Sequence, residues 1–178
     1  MKKNKKNYYK IGILGGTFDP PHKGHLYISK IALKKLKLVK LIWVITKKNP
    51  LKRKPHLNLT SRKKLANRIT KDEKKIHVRY YDKKIRSSST FELLNFIKKR
   101  NKTAKLFFLI GADNLINLHK WKNWKKIPKL AKIVIFPRQG YSLKFIKPIA
   151  AKKLNKKDLI YMNSKLINIS SSLIRKFW

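Results

Sequence analysis

The chain has 178 residues, with 48 Lys and Arg against 7 Asp and Glu, and its formal net charge is +41. Its hydrophobic fraction of 42% is enough for a folded domain and excludes wholesale disorder. The absence of cysteine excludes disulfides, cysteine-based zinc sites and thiol nucleophiles. No run approaches the roughly 18 apolar residues of a membrane helix, and no signal-peptide apolar segment follows the basic start, so we expect a cytoplasmic protein without membrane contact.

The predicted elements alternate between strands and helices. In chain order we predict a strand at 9–14, a helix at 24–37, a strand at 40–46, a loop at 47–58 and a helix that Thr60 or Ser61 caps and that runs to 69. A strand at 75–81, a loop at 82–89, a helix at 90–100 and a strand at 105–110 follow. The remainder is a helical, Trp-bearing stretch to 127, a strand at 131–136, an irregular segment at 137–155, a weak strand at 158–162 and a short helix capped by Ser170 or Ser171.

The predicted strands are continuous apolar runs, which are typical of strands buried on both faces of a sheet. The sequence therefore predicts an α/β fold, a Rossmann-like doubly wound parallel sheet of five to six strands with helices on both faces. We expect one domain over residues 1–178, with residues 1–8 as a basic, disordered N-terminal segment. Ligands of such folds bind at the carboxyl ends of the strands, so the residues after each strand are the candidates for function.

The segment after the first strand has the chemistry of a phosphate cradle. Gly15 and Gly16 let a ligand approach the backbone, and Gly24 opens a helix whose first N–H groups favour an anion. His22 and His25 can both donate hydrogen bonds to that anion. The segment is neither a dinucleotide fingerprint nor a P-loop. A glycine turn with two surface histidines and a metal-binding pair are the alternatives, the second disfavoured because carboxylates are scarce.

Two separated motifs carry a resemblance to a known family. Residues 15–26 read G-G-T-F-D-P-P-H-K-G-H-L, and residues 169–175 read I-S-S-S-L-I-R, with Ser172 where Thr is usual. Together they resemble the nucleotidyltransferase superfamily with the HxGH motif. Residues 107–140, with G-A-D and W-K-N-W-K-K-I, are similar to the bacterial nicotinate-nucleotide adenylyltransferases, as are the segments at 49–52 and 87–90.

The resemblance implies transfer of the adenylyl group of ATP to nicotinate mononucleotide, giving deamido-NAD and pyrophosphate in NAD biosynthesis. It implies His22 and His25 as catalytic residues, and Mg²⁺ held mainly through the ATP phosphates rather than by the protein. The implied ATP-binding residues are Gly15, Gly16, Thr17, Gly24, Gly111, Asp113, Ser170, Ser171 and Arg175. The implied residues for the mononucleotide are Thr90, Trp121, Lys52 and Ser87, with Trp121 stacking on the pyridine ring and Arg53 as a further steering cation.

Several of these residues have an ordinary structural interpretation as well. Trp121 and Trp124 can both belong to the core, although we expect Trp121 in the site. Thr90 can cap its own helix, and Ser87 can lie in a solvated loop. We expect the remaining histidines to be structural: His56, His77 and His119.

Two further functional hypotheses stay open at this stage. One is a related adenylyltransferase that uses nicotinamide mononucleotide or another phosphorylated acceptor. The other is a basic nucleic-acid-binding protein, since basic chains bind phosphate backbones through counterion release. The lysines are spread from Lys2 to Lys176, however, and no recognised nucleic-acid-binding motif is present. We therefore expect non-specific RNA binding but no specific nucleic-acid partner, and the sequence is compatible with a homo-oligomer.

Overall fold

The computed structural model describes residues 8–49, 53–141, 148–166 and 169–178. Within these residues, six strands form one sheet in the order β3-β2-β1-β4-β5-β6, and every neighbouring pair is parallel. The strands are β1 (Lys10–Gly16), β2 (Lys40–Ile45), β3 (Ile76–Arg79), β4 (Lys105–Gly111), β5 (Ala131–Phe136) and β6 (Leu159–Tyr161). The predicted fold class is confirmed. The prediction of disorder for residues 1–8 falls outside the described residues, except at Tyr8.

The helices connect the strands as crossovers and cover the sheet. They are α1 (Lys23–Lys35), α2 (Leu59–Ile69), α3 (Asp82–Ile85), α4 (Thr90–Arg100), α5 (Ala112–Asn117), α6 (Ile149–Lys153) and α7 (Ser171–Ile174). The predicted cap of α2 is wrong, because Asn58 is its N-cap and accepts a hydrogen bond from the Ser61 N–H at 2.8 Å. The cap of α7 is Ser170, one of the two predicted residues.

Three segments differ from the sequence-based expectation. The loop predicted at 82–89 contains α3, and the irregular segment predicted at 137–155 contains α6. Both helices are too short to leave a helical period in the sequence. The Trp-bearing stretch is not one helix, since α5 gives way to 3₁₀ turns at Leu118–Lys120 and Trp124–Lys129. Asn123 between these turns has a left-handed φ of 56°, a conformation that interrupts a helix.

The strands bury apolar side chains on both faces, as their continuous apolar runs predicted. In β4, Phe108 packs into one core cluster and Leu109 into the other. The first cluster also contains apolar residues of α4 and α5, and the second contains residues of α1 and α2. The sheet therefore lies between two helical layers, and its strand ends are the edges left uncovered.

The strand order reverses direction between β1 and β4. From β1 the chain moves outward through β2 to β3, and it then returns to β4 on the other side of β1. The crossovers on the two sides leave a crevice at the carboxyl ends of these central strands, which is where open α/β sheets bind ligands. Among the described residues, no helix combines the length and the apolar character needed to cross a membrane.

Candidate active site

A cavity of about 780 Å³ opens at the carboxyl ends of β1, β2, β4 and β5. Its size is that of a small-molecule site. Asp113 and Ser170 of the predicted site lie beside the cavity rather than in its wall, and Lys52 lies outside the described residues. The predicted site residues that line the cavity are Gly15, Gly16, Thr17, His22, Gly24, His25, Ser87, Thr90, Gly111, Trp121, Ser171 and Arg175.

The glycines of the first motif meet different constraints. A Cβ atom on Gly15 would lie 3.6 Å from the Phe108 ring, and one on Gly16 would lie 3.7 Å from the Phe18 ring; both are ordinary contact distances. The protein's own packing therefore does not require glycine at these two positions, although both line the cavity. A Cβ atom on Gly24, by contrast, would lie 2.9 Å from His22 Nδ1. The packing of the His22 ring against the start of α1 thus depends on glycine at position 24.

The two histidines of the first motif hold each other through a reciprocal cap at the start of α1. His22 Nδ1 accepts a hydrogen bond from the Gly24 N–H at 3.1 Å, and His25 Nδ1 accepts one from the His22 N–H at 3.2 Å. A ring nitrogen that accepts a hydrogen bond carries no proton, so each neutral ring has its proton on Nε2. Each imidazole therefore carries its proton on Nε2, and both rings line the cavity.

A second layer of side chains fixes the ring of His25. Phe18 packs on it with ring centroids 4.8 Å apart, and Trp43 stacks on Phe18 at 5.0 Å. The Trp43 indole N–H donates to Ser29 Oγ at 2.8 Å, and the Ser29 hydroxyl donates to the His25 carbonyl at 2.7 Å. These buried partners reduce the freedom of the ring before any ligand arrives, which is how a site is preorganised.

Burial and the nearby Arg138 guanidinium lower the pKa of His22 to about 4. Burial is the larger cause, because it removes water from the charged form of the ring. The low pKa agrees with the hydrogen bond at Nδ1, which a protonated ring would lose. His22 is therefore a neutral donor across the physiological pH range.

In a pH titration of the ligand-free protein, we expect the His22 ring to change protonation near pH 4 rather than near the ordinary value of 6.5. The measurement is the ¹H–¹³C correlation signal of the His22 Cε1–H group, assigned by comparison with a His22→Asn variant. A midpoint for His22 close to 6.5 would contradict the neutral-donor assignment.

The first and last motifs, far apart in sequence, meet at Asp19. This carboxylate is 4% exposed and accepts hydrogen bonds from the His56 and Leu57 N–H groups at 2.8 and 2.9 Å. Arg175 donates to the Asp19 carbonyl and lies 3.6 Å from its carboxylate. The Ser171 hydroxyl donates to the Pro20 carbonyl at 2.8 Å. Asp19 was not among the predicted site residues, although it stands in the first motif.

The N-terminus of α4 forms the opposite wall of the cavity. Ser89, not Thr90, is the N-cap residue, and its side chain makes no capping hydrogen bond. Its Oγ atom is buried without a hydrogen-bond partner among the described residues, which makes it an unused polar group in the cavity wall. Ser87 is ordered rather than merely solvated, since its Oγ accepts from the Ser89 N–H at 3.0 Å. Ser89 was not predicted as a site residue, because nothing in the sequence distinguishes one of three consecutive serines from the other two.

Trp121 and Trp124 occupy different surroundings. Trp121 lines the cavity, with its ring edge-on to Phe108 at a centroid distance of 6.2 Å. Trp124 is outside the cavity wall and packs against the core cluster beside α4 and α5. Trp121 also packs partly on this cluster, so it belongs both to the edge of the core and to the cavity wall.

The carboxyl ends of β4 and β5 bring Asp113 and Arg138 together. Arg138 Nη1 donates to Asp113 Oδ2 at 3.0 Å, and a Cβ atom on Gly111 would overlap Asp113 Oδ1. Arg138 lines the cavity and was not among the predicted site residues. A cation two residues after a strand of a parallel sheet is the signal that could have identified it. Of the histidines expected to be structural, only His56 lines the cavity.

The described residues offer no ready-made metal site. They contain no group of three or more His, Asp or Glu side chains arranged to hold an ion. The two carboxylates in the cavity wall, Asp19 and Asp82, already accept backbone hydrogen bonds, the latter from the Lys47 N–H at 2.8 Å.

The sheet is parallel, and a cavity lined by cations and imidazole groups opens where its strand order reverses. This combination is typical of the α/β proteins that bind nucleotides. Residues 13–177 match the family model described as Cytidylyltransferase-like. The chain is 48% identical over 167 residues to the "Probable nicotinate-nucleotide adenylyltransferase" of Pelagibacter ubique, covering 94% of this chain and 92% of that protein. It is 37% identical over 172 residues to the protein of the same name in Clostridium tetani, with 94% and 86% covered.

A solved structure shares the fold. It is the nicotinic acid mononucleotide adenylyltransferase of Plasmodium falciparum complexed with NaAD, which superposes with a TM-score of 0.76 at 22% identity, covering 96% of this chain and 84% of that one. Together with the sequence relatives, this places the chain plainly: it belongs to the nicotinate-nucleotide adenylyltransferase family.

Proposed function

We propose that this protein transfers the adenylyl group of ATP to nicotinate mononucleotide, forming deamido-NAD and pyrophosphate in NAD biosynthesis. Family membership supports the reaction. The observation that carries the proposal in the structure is the pair of neutral imidazole donors, held by their reciprocal cap beside the open Gly15-Gly16 wall. The site thus has donors for phosphate groups and has space for a ligand against the backbone.

The reaction is a direct displacement at phosphorus. A phosphate oxygen of the mononucleotide attacks the α-phosphorus of ATP, the bond from that phosphorus to the bridging oxygen breaks, and pyrophosphate leaves with the bond's electron pair. No protein nucleophile takes part. Catalysis then rests on positioning two anions and on stabilising the negative charge that grows on the leaving group. Donors and cations rather than paired carboxylates suit this chemistry.

His22 and His25 stabilise that developing charge in our proposal. Their Nε2–H groups donate to oxygens of the triphosphate, while Nδ1 of each ring stays engaged in the helix cap. Arg175 and the backbone N–H of Ser171 hold the β- and γ-phosphates, and Ser170 supports them as the cap of α7, its Oγ accepting from the Leu173 N–H. Because Arg175 also contacts Asp19, the phosphate-binding end is tied to the first motif.

The adenosine lies beside the ends of β4 and β5 in our proposal. Gly111 leaves room for the base, and Asp113 accepts from the ribose hydroxyls. Its carboxylate is paired with Arg138 through one oxygen, and a carboxylate has lone pairs for further hydrogen bonds. The Gly15, Gly16 and Thr17 backbone meets the phosphates at the junction of the two substrates, and Gly24 keeps His22 in place.

The pyridine end lies between Trp121 and the start of α4 in our proposal. The indole stacks on the flat pyridine ring. Thr90, with the unpaired Ser89 hydroxyl and the first N–H groups of α4, receives the nicotinate carboxylate, which favours this end of the helix dipole. Ser87 supports Ser89, and Arg53 and Lys52 steer the mononucleotide phosphate.

Magnesium enters the reaction with ATP as part of the substrate. Mg²⁺ prefers oxygen ligands and commonly binds phosphates while keeping several waters. The donor set of the cavity fits this proposal, because its carboxylates are already engaged with backbone N–H groups and its other charged side chains are cations.

We further propose that the whole chain acts as one domain, and that it works in the cytoplasm, where ATP is supplied.

The test is an assay of pyrophosphate release from ATP. We expect release only when nicotinate mononucleotide is added, in step with the appearance of deamido-NAD. Release without a mononucleotide would indicate hydrolysis, and a product other than deamido-NAD would place the protein with another acceptor.

A further inference from the structure

Arg62 in α2 is only 2% exposed although it carries a full positive charge. Burial lowers the pKa of its guanidinium, while Asp19, Asp82 and Tyr80 act in the opposite direction. No carboxylate lies within ion-pair distance of Arg62 among the described residues. Its guanidinium instead donates to four backbone carbonyls: Leu57 at 3.0 Å, Thr17 at 2.5 Å, Thr46 at 2.7 Å and Lys47 at 3.1 Å.

These carbonyls belong to three segments that wall the cavity. Thr17 follows the Gly15-Gly16 pair that ends β1, and Thr46 follows the last residue of β2; both line the cavity. Leu57 belongs to the segment 53–58, whose residues 53–56 line it as well. Arg62 itself is absent from the wall, so any effect it has on a bound ligand passes through these segments.

Asp19 holds the segment 53–58 from the other side. Its carboxylate accepts hydrogen bonds from the His56 and Leu57 N–H groups, whereas the Leu57 carbonyl accepts one from Arg62 Nε. A peptide segment is thus fixed between a buried anion and a buried cation. Such a hydrogen-bonded arrangement is costly to disturb, because removing one charged group leaves buried polar atoms unsatisfied.

We infer that Arg62 is a positioning residue for the proposed adenylyl transfer, because its guanidinium locks the turn after β1, the end of β2 and the segment 53–58 into one cavity wall. The inference rests on the proposed function. Its geometry requires arginine: five N–H donors in a planar fork reach carbonyls on several sides, whereas a lysine has three donors on a flexible stem. A lysine would keep the positive charge at this position but could not donate to all four carbonyls.

The test compares Arg62→Lys with Arg68→Lys, a change of the same type at an exposed position of the same helix. For each variant, kcat and both KM values are measured at a temperature where circular dichroism shows a folded protein. Hydrogen exchange of the amide groups at 46–49 and 53–58 is measured alongside. The unmodified protein is assayed in parallel, so loss of the proposed function as a whole is seen separately.

We expect Arg62→Lys to fold, to lose about tenfold or more in kcat with KM values changed by less, and to exchange faster at 46–49 and 53–58. Arg68→Lys should match the unmodified protein in all three readouts. A folded Arg62→Lys protein with unchanged kcat would overturn the inference. So would failure of Arg62→Lys to fold at any temperature where the unmodified protein folds, because Arg62 would then support the whole fold rather than the cavity wall. An inactive unmodified protein would refute the proposed function, and the positioning role with it.

Discussion

Replacing His25 with alanine is expected to lower kcat by about 10²-fold or more, with a smaller change in KM. A donor that acts on developing charge contributes most in the transition state, and loss of one such donor costs about this much in other enzymes. Because His25 Nδ1 also accepts the His22 N–H, the variant weakens the position of the second donor as well. Steady-state pyrophosphate release measures both constants.

The matched control is His77→Ala. His77 lies in β3 and outside the cavity wall, so its loss removes an imidazole without touching the proposed donors. This variant should stay within about twofold of the unmodified protein. A His25→Ala protein that is folded and within a few-fold of normal turnover would remove His25 from the mechanism.

Adding a single methyl group at Gly16 is expected to abolish most activity without destabilising the fold. The new Cβ atom would make only ordinary contact with Phe18 at 3.7 Å, but it would stand in the cavity wall where the proposed phosphates approach the backbone. Displacing reacting groups by about 1 Å can cost about 10²-fold in rate. We therefore expect Gly16→Ala to retain the melting temperature and to lose about 10²-fold in kcat/KM.

Gly12→Ala should destabilise the fold and leave catalysis unchanged. Gly12 lies in the middle of β1, and a Cβ atom there would lie 2.7 Å from Leu38 Cδ1, within the core rather than the cavity. Overpacking of this kind costs about 1–3 kcal/mol of folding free energy. This variant should therefore melt earlier yet keep its kcat where it is folded. Equal loss of activity in both variants at temperatures where both are folded would contradict the assignment of Gly16 to the ligand wall.

The sequence was sufficient for features that local patterns encode. The strands of a doubly wound sheet are continuous apolar runs. The positions of these runs therefore predicted both the strands and the burial of the sheet on its two faces. The first motif likewise begins at the carboxyl end of β1, where the fold rules place a ligand site. The N-cap of α2 could not be predicted from local sequence, because Asn58, Thr60 and Ser61 are all residues that favour this position. Only the structure shows which side chain reaches an N–H group.

The features that were missed depend on contacts between distant segments. Nothing local distinguishes Arg62 from the exposed Arg68 on the same helix, although one is buried and holds four carbonyls. Asp19 gains its role only because the segment 53–58 and Arg175 both reach it. The helices α3 and α6 have only four and five residues, which is too short to leave a periodic pattern in the sequence.

The chain has a net charge of +41, and cations also outnumber carboxylates in the wall of the cavity. This wall has two carboxylates against eight Lys and Arg side chains, and two of these cations are paired, Arg138 with Asp113 and Arg175 with Asp19. A site that must hold two anions against their mutual repulsion benefits from this excess. The cations that line the cavity are Lys48, Arg53, Lys54, Lys120, Lys122, Arg138, Lys165 and Arg175.

The most direct test of the proposed reaction is a paired assay of pyrophosphate release with nicotinate mononucleotide and with its amide, nicotinamide mononucleotide. The two acceptors differ only in the group that would meet Thr90, Ser89 and the start of α4. We expect a clearly higher kcat/KM for the acid, because only the carboxylate is an anion that the N–H groups and the helix dipole favour. Equal kcat/KM values for the two acceptors would contradict the substrate assignment, and the absence of release with either would contradict adenylyl transfer to a pyridine mononucleotide.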